Sequence, residues 1–352
     1  MNQDFTDHAD RKPRPRPGSS WFTSQSQFPL LPSYPVDLFI LSQNRLSPAL
    51  AFPGTSLLSI RFILSKTDVS SSPGNARHHG TGTGGLTCPV TALRLSGRPH
   101  PDPEVSVEYT QIGTGPAILL LPGLGCDDRL WQGVAEHLSE RFTLVRPHTW
   151  GRGRLAERAR ELETLAGKLG GRPVGVAGLS MGGYLTFECL RQWPQGVRAA
   201  ALLDTTAYPD DAERVETRRQ VLRLLEAGKY AEVLSAFVPS VLAPGLAEEH
   251  PARELLFDMA VALGAETFAA DLQAILGRGG FANVLAHIRV PALFVVGSQD
   301  TLTPPMVARH MAAAVPGSRL VEIPDAGHMT PLENPEATAR VLDKFFTVAF
   351  HL

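Results

Sequence analysis

From residue 104 onward, short continuous apolar runs alternate with longer stretches of helical spacing. Residues 105–110 alternate apolar and polar side chains as a half-buried strand does, and they end at Gly113-Thr114-Gly115. Residues 117–121 are wholly apolar, the pattern of a strand covered on both faces. Helical spacing over 128–140 leads to a strand at 142–145, and a helix over 155–169 leads to a strand at 173–177. A helix at 183–192 and a strand at 199–203 follow. Towards the end, strands at 292–296 and 319–323 flank a helix at 305–314, and a helix over 335–346 closes the series. Strands alternating with helices predict an α/β fold, a mostly parallel central sheet flanked by helices.

Residues 205–286 break that rhythm. Four helix-like segments stand there, at 212–227, 231–241, 253–263 and 266–276, with no convincing strand. A helical insertion between two strands is expected to form a cap over the C-terminal edge of the sheet, where ligands of such sheets bind. The predicted organisation is therefore a main domain over 104–350 with a cap at 205–286 inserted in it.

Residues 1–103 read differently. Lys12-Pro13-Arg14-Pro15-Arg16-Pro17 and Ser70-Ser71-Ser72-Pro73-Gly74 interrupt any long periodic element. Residues 1–100 hold ten Lys or Arg against five Asp and no Glu, a balance of +5, whereas the rest of the chain balances to −7. An irregular or disordered N-terminal extension is expected. Acidic residues at Asp4, Asp7 and Asp10 argue against a secretory signal, while a transit segment, a disordered tail and an over-long gene start all stay open. Gly80-Thr81-Gly82-Thr83-Gly84-Gly85 fits a dinucleotide-binding pattern but lacks the strand before it and the helix after it that give the pattern meaning.

Composition narrows the function classes. The 352 residues are 43% hydrophobic and 19% charged, with a formal net charge of −2, which gives no reason to expect nucleic acid or an anionic membrane as partner. Cys88, Cys126 and Cys189 are too few and scattered for a disulfide framework or a metal site, so a cytoplasmic protein with reduced thiols and no metal is expected. The longest apolar stretch, 49–64, is interrupted by Pro53, Gly54 and Arg61.

The chemistry concentrates at predicted strand ends. Gly178-Leu179-Ser180-Met181-Gly182 places a serine between an apolar strand and a helix, where a turn this tight needs small residues two before and two after it. A serine hydroxyl becomes a useful nucleophile only when a base takes its proton. His328, in Asp325-Ala326-Gly327-His328, follows the last strand, and Asp300 follows the strand at 292–296. Ser180 as nucleophile, His328 as base and Asp300 as the acid that orients the imidazole form a consistent set. Asp204, also past a strand, is the rival acid, and Asp325 is expected to shape a turn. Two backbone donors should face the charge that develops on the reacting carbonyl: the amides of Met181 and of Leu124, the latter in the glycine-rich Leu121-Pro122-Gly123-Leu124-Gly125.

Together these segments resemble the α/β-hydrolase superfamily in its capped carboxylesterase and lactonase-like branch, from the oxyanion-type loop at 121–131 through the elbow at 177–184 to the strand ends at 202–206, 296–304 and 327–335. The resemblance implies hydrolysis of an ester or related acyl bond through an acyl-enzyme, without a cofactor. The leading expectation for the small-molecule acyl substrate is a small to medium apolar ester, from the apolar faces of the inserted segments, which include Leu224, Leu225, Phe237, Phe257 and Phe268, although most of these are expected to be core. Dehalogenase and epoxide-hydrolase relatives use an aspartate where this chain has Ser180. One departure stands out: many relatives carry Gly-His-Gly after the strand that here leads into His148-Thr149-Trp150-Gly151-Arg152-Gly153. C–C bond hydrolysis, lactone opening and acyl transfer on the same triad stay open, as do a low-turnover ligand receptor and a scaffold acting through the Pro-rich extension. Monomer and homodimer are both compatible with the sequence.

Overall fold

The computed structural model describes residues 107–170, 173–246 and 248–352. The expectations for residues 1–103, including the glycine-rich pattern at 80–85, lie outside them. So does the start of the strand expected at 105–110.

Seven strands form one sheet in the order β1 (Tyr109–Ile112), β3 (Thr143–Pro147), β2 (Ala117–Leu121), β4 (Val174–Leu179), β5 (Val197–Leu203), β6 (Ala292–Gly297), β7 (Arg319–Ile323). Only β1 runs antiparallel to its neighbour, pairing Tyr109 with Pro147 and Ile112 with Leu144. That pairing sets the bounds of β1, which lies further along the chain than the alternating pattern suggested. The central parallel strands β2, β4 and β6 are apolar because both faces are covered. Ile118 and Leu120 of β2 join a core with Trp131, Val134 and Leu138 on one face and Leu342 and Phe346 from the C-terminal helix. Leu119 and Leu121 join the opposite core with Leu162, Leu165 and Phe187.

The helices that cover these faces are α1 (Gln132–Leu138) and α10 (Pro335–Phe350) on one side and α2 (Leu155–Lys168), α3 (Met181–Gln192) and α8 (Pro305–Ala313) on the other. The single helix expected at 128–140 is instead a 3-10 turn, Asp128–Trp131, running into α1. Asp127 caps that turn through its side chain, which accepts from the Arg129 amide at 2.9 Å. Helix α10 starts where local chemistry says it should: Asn334 accepts from the Ala337 amide at 3.2 Å, and Pro335 occupies the first helical position, where no amide is needed.

Between β5 and β6 the chain builds α4 (Ala212–Glu226), α5 (Tyr230–Ser240), α6 (Pro251–Leu276) and the short α7 (Ala282–Leu285). The two helices expected at 253–263 and 266–276 are halves of α6, divided at Gly264, whose φ of 80° and ψ of 167° interrupt the helix. A further short helix, α9 (Thr330–Glu333), follows β7. No helix among the described residues is long and apolar enough to cross a membrane.

Candidate active site

Ser180, Asp300 and His328 all sit just past the C-terminal ends of parallel strands, β4, β6 and β7 respectively. Leu179 pairs with Leu203, Leu203 with Val295 and Gly297 with Ile323, so β6 and β7 run two residues past the end of β4 on the same edge of the sheet. Parallel register therefore brings together three residues separated by as many as 148 positions in the sequence.

The serine is held in a conformation that disfavours any side chain, with φ 53° and ψ −111°. Three neighbours fix it. Its amide donates to the Leu203 carbonyl at 2.9 Å, its carbonyl accepts from the Gly183 amide at 2.9 Å, and Thr205 Oγ1 donates to the same carbonyl at 2.8 Å. The glycines around it are required by contact: a Cβ at Gly178 would lie 2.1 Å from the Gly182 carbonyl oxygen, and one at Gly182 would lie 2.2 Å from that of Leu121. The second approach seats the start of α3 on the loop that follows β2. Met181 opens α3, where amides have no acceptor within the helix. On the other side of Ser180, a Cβ at Gly123 would lie 3.4 Å from the serine Cβ, so Leu124 follows a residue in contact with the nucleophile position.

A hydrogen-bonded chain links the three side chains. His328 Nε2 lies 2.9 Å from Ser180 Oγ, and Nδ1 lies 2.8 Å from Asp300 Oδ2. His328 and Asp300 are 2% and 3% exposed, so their contact is shielded from water, whereas Ser180 is half-buried and reachable. Asp300 accepts further bonds from the Leu302 and Thr303 amides, at 2.8 and 2.9 Å, and from Thr303 Oγ1 at 2.8 Å. Burial alone would push its carboxyl up, but the His328 charge and these donors outweigh burial and hold it below the usual carboxylate range.

Asp204 is buried as well, yet it faces elsewhere. Its Oδ1 accepts from the Gly297 amide at 2.8 Å, and its Oδ2 lies 2.5 Å from Thr330 Oγ1. Burial, followed by the nearby negative charge of Asp300, pushes the Asp204 carboxyl well above its ordinary range. Of the two acids, Asp300 is the one that touches the histidine. Asp325 lies in an exposed left-handed turn, φ 56°, consistent with a turn former.

Helices α5 and α6 pack against the loop that follows β2. A Cβ at Gly125 would lie 3.2 Å from the rings of both Phe237 and Phe268, which meet edge to face with centroids 5.2 Å apart. These aromatics stand directly against the loop that carries Leu124. The same insertion is tied down by an ion pair the sequence patterns did not single out: Arg158 of α2 meets Asp271 of α6 at 2.7 Å, each side chain 1% exposed. Asp271 Oδ1 also accepts from the Gly151 amide at 2.8 Å, and Arg158 Nε donates to the Arg152 carbonyl at 2.8 Å. The segment that departs from the Gly-His-Gly pattern is thus held by the insertion. A helical-spacing pattern marks Arg158 and Asp271 only as polar residues on otherwise apolar faces. Among the described residues, no group of three or more His, Cys, Asp or Glu side chains converges as a metal ion would need.

Comparison with known proteins places this arrangement in context. A model of the alpha/beta hydrolase family matches residues 118–341. The chain is 28% identical over 254 residues to a pimeloyl-(acyl-carrier protein) methyl ester esterase of Nitrosomonas europaea, covering 68% of this chain and 98% of that protein. Among solved structures it is similar to a thermophilic esterase of Thermogutta terrifontis, with 28% identity, a TM-score of 0.65, and 69% of this chain and 94% of the other covered. The enol-lactonase of Burkholderia xenovorans LB400 shares the fold, with a TM-score of 0.63 at 24% identity over 68% of this chain and 97% of the other.

Proposed function

The chain belongs to the alpha/beta hydrolase family, and from that premise we propose that it is a serine hydrolase cleaving a carboxylic ester or related acyl bond of a small to medium apolar substrate through an acyl-enzyme. One observation carries this reading: the unbroken chain of hydrogen bonds from Ser180 Oγ through His328 to Asp300, at 2.9 and 2.8 Å.

In this mechanism Ser180 Oγ attacks the substrate carbonyl carbon while its proton passes to His328 Nε2. Asp300 fixes the tautomer that leaves Nε2 free to accept and stabilises the imidazolium that forms. The carbonyl oxygen, now negatively charged, takes hydrogen bonds from the Leu124 and Met181 amides, each worth on the order of 3 kcal/mol of transition-state stabilisation. Collapse breaks the bond to the leaving alcohol, which receives the proton from His328. Water then attacks the Ser180 ester with His328 again as base, releasing the carboxylic acid and restoring the hydroxyl. No metal or redox partner is needed to balance these steps.

The helices between β5 and β6 act as the cap in this reading. Phe237 and Phe268 against Gly125 give the pocket beside the reacting carbonyl an apolar wall, which favours uncharged acyl or alcohol groups. The methyl ester esterase and the thermophilic esterase to which the chain is similar support ester cleavage. The partner is a small molecule, and the reading invokes neither nucleic acid nor membrane.

The decisive test is hydrolysis of a short-chain nitrophenyl ester by the wild type and by Ser180→Ala, followed by a panel of esters, lactones and thioesters. Turnover is expected to fall at least 10³-fold in the variant. Unchanged turnover would remove Ser180 from the chemistry. A wild type silent across the whole panel would favour a ligand receptor.

A further inference from the structure

Glu333 closes the short helix α9 and is 8% exposed, yet its carboxylate is spent wholly on backbone amides. Oε1 accepts from the Met329 amide at 2.9 Å. Oε2 accepts from the Gly327 amide at 3.0 Å and from the Ala243 amide at 2.7 Å. Gly327 and Met329 are the two residues that flank His328. Ala243 lies just past α5, in the helical insertion. The Glu333 amide itself donates to the Met329 carbonyl at 2.9 Å, so side chain and backbone close a ring around the residue after the histidine.

Two more contacts bind the same segments. The His328 amide donates to the Val241 carbonyl at 3.2 Å. Gly327 lies so close to the insertion that a Cβ there would stand 2.4 Å from the Ala243 nitrogen. The chain on both sides of His328 is therefore pinned by one carboxylate, and that carboxylate also grips the segment joining α5 to α6.

We infer that Glu333 is a positioning residue, setting the imidazole of His328 between Ser180 and Asp300 and coupling that placement to the seating of the helical insertion. The inference rests on the reading of His328 as the base. A carboxylate suits the position because it only accepts, and three N–H groups point at it. The charge strengthens each bond. A glutamine of the same volume would turn its NH₂ group towards at least one of those N–H groups, losing that bond and freeing one side of the histidine loop. Geometry in a proton-transfer chain is unforgiving, and misplacement near 1 Å costs on the order of 10²-fold in rate.

The test compares Glu333→Gln and Glu333→Asp with wild type on a short-chain nitrophenyl ester, normalised by active-site titration, with Ser180→Ala and His328→Ala alongside. Glu333→Gln is expected to lower kcat of the titrated enzyme by on the order of 10- to 100-fold with KM changed by less than about twofold. Glu333→Asp restores the charge but not the full reach, so its rate should fall between the two, and it carries the comparison if the glutamine variant fails to fold. Amide hydrogen exchange at Gly327, Met329 and Ala243 should quicken in Glu333→Gln. A variant with lowered thermal stability but wild-type kcat would show a structural role only and overturn the inference. Should His328→Ala keep wild-type turnover, the proposed function fails instead, and unchanged exchange at the three amides would separately show that no clamp exists.

Discussion

Ser180 is kept at φ 53° against a cost on the order of 1–3 kcal/mol for a non-glycine residue, and the bonds from Leu203, Gly183 and Thr205 explain how it stays there. The hydroxyl thereby stands clear of its own helix and within 2.9 Å of His328. At this scale two outcomes are expected. Asp300→Asn preserves shape but presents an NH₂ group where His328 needs an acceptor, so the wrong tautomer is favoured; kcat should drop on the order of 10⁴-fold, measured by steady-state hydrolysis with the fold checked by circular dichroism. In the wild type, kcat/KM should fall on the acid side, since an imidazolium cannot take the serine proton. A profile flat from about pH 5 to 8, with chemistry limiting, would contradict that role for His328.

Among the elements, α2 and α6 are joined by the Arg158–Asp271 pair, fully enclosed and with Asp271 Oδ2 lacking any hydrogen-bond partner. Burial pushes the Asp271 carboxyl up even beside the guanidinium. Such a pair is a weak source of net stability, but removing one member strands the other. Arg158→Met should therefore destabilise by about 3–5 kcal/mol, and Arg158→Met with Asp271→Leu should recover most of that loss. Urea unfolding of the two singles and the double closes the cycle, and equal loss in single and double would refute the account. The elements also show what was readable beforehand. The central strands β2, β4 and β6 announced themselves as apolar runs, because two covered faces leave little place for polar side chains, whereas the edge strand β7 carries Arg319 and Glu322 and is only partly buried. The edge strand β1 overlaps the expected strand only at Tyr109 and Thr110 and runs on to Ile112, since its end follows from pairing with β3 rather than from its own residues. Ser180, Asp300 and His328 were legible because strand ends and local turn chemistry mark them. Glu333, Thr303 and Arg158 were not: their partners are backbone amides, a neighbouring acid and a distant helix, none of which leaves a trace in local spacing.

For the molecule as a whole, two buried acids pull stability in opposite directions with pH. Asp300 has a depressed folded value, so its contribution is present above the unfolded value of about 3.9 and is lost as pH falls through the folded one. Asp204 has a raised folded value, so its contribution is present below about 3.9 and is lost as pH rises towards and through the folded one. Asn at position 204 imitates the protonated acid: it still accepts from Gly297 and can donate to Thr330 Oγ1. The melting temperature of Asp204→Asn relative to wild type should therefore climb as the pH rises above about 4. A difference constant across that rise would mean that Asp204 is ionised throughout. The insertion, finally, leaves the sheet after β5 and returns at β6, strands that lie side by side with Leu203 beside Val295. Its two ends are neighbours, so a replacement of quite different length could be spliced at that seam without re-threading a single strand. If the insertion is the cap of the proposed function, such a graft would change which substrates enter while the sheet stays as it is. It would have to bring a carboxylate for Arg158, an N–H for Glu333 and a carbonyl for the His328 amide, three sockets the recipient leaves waiting.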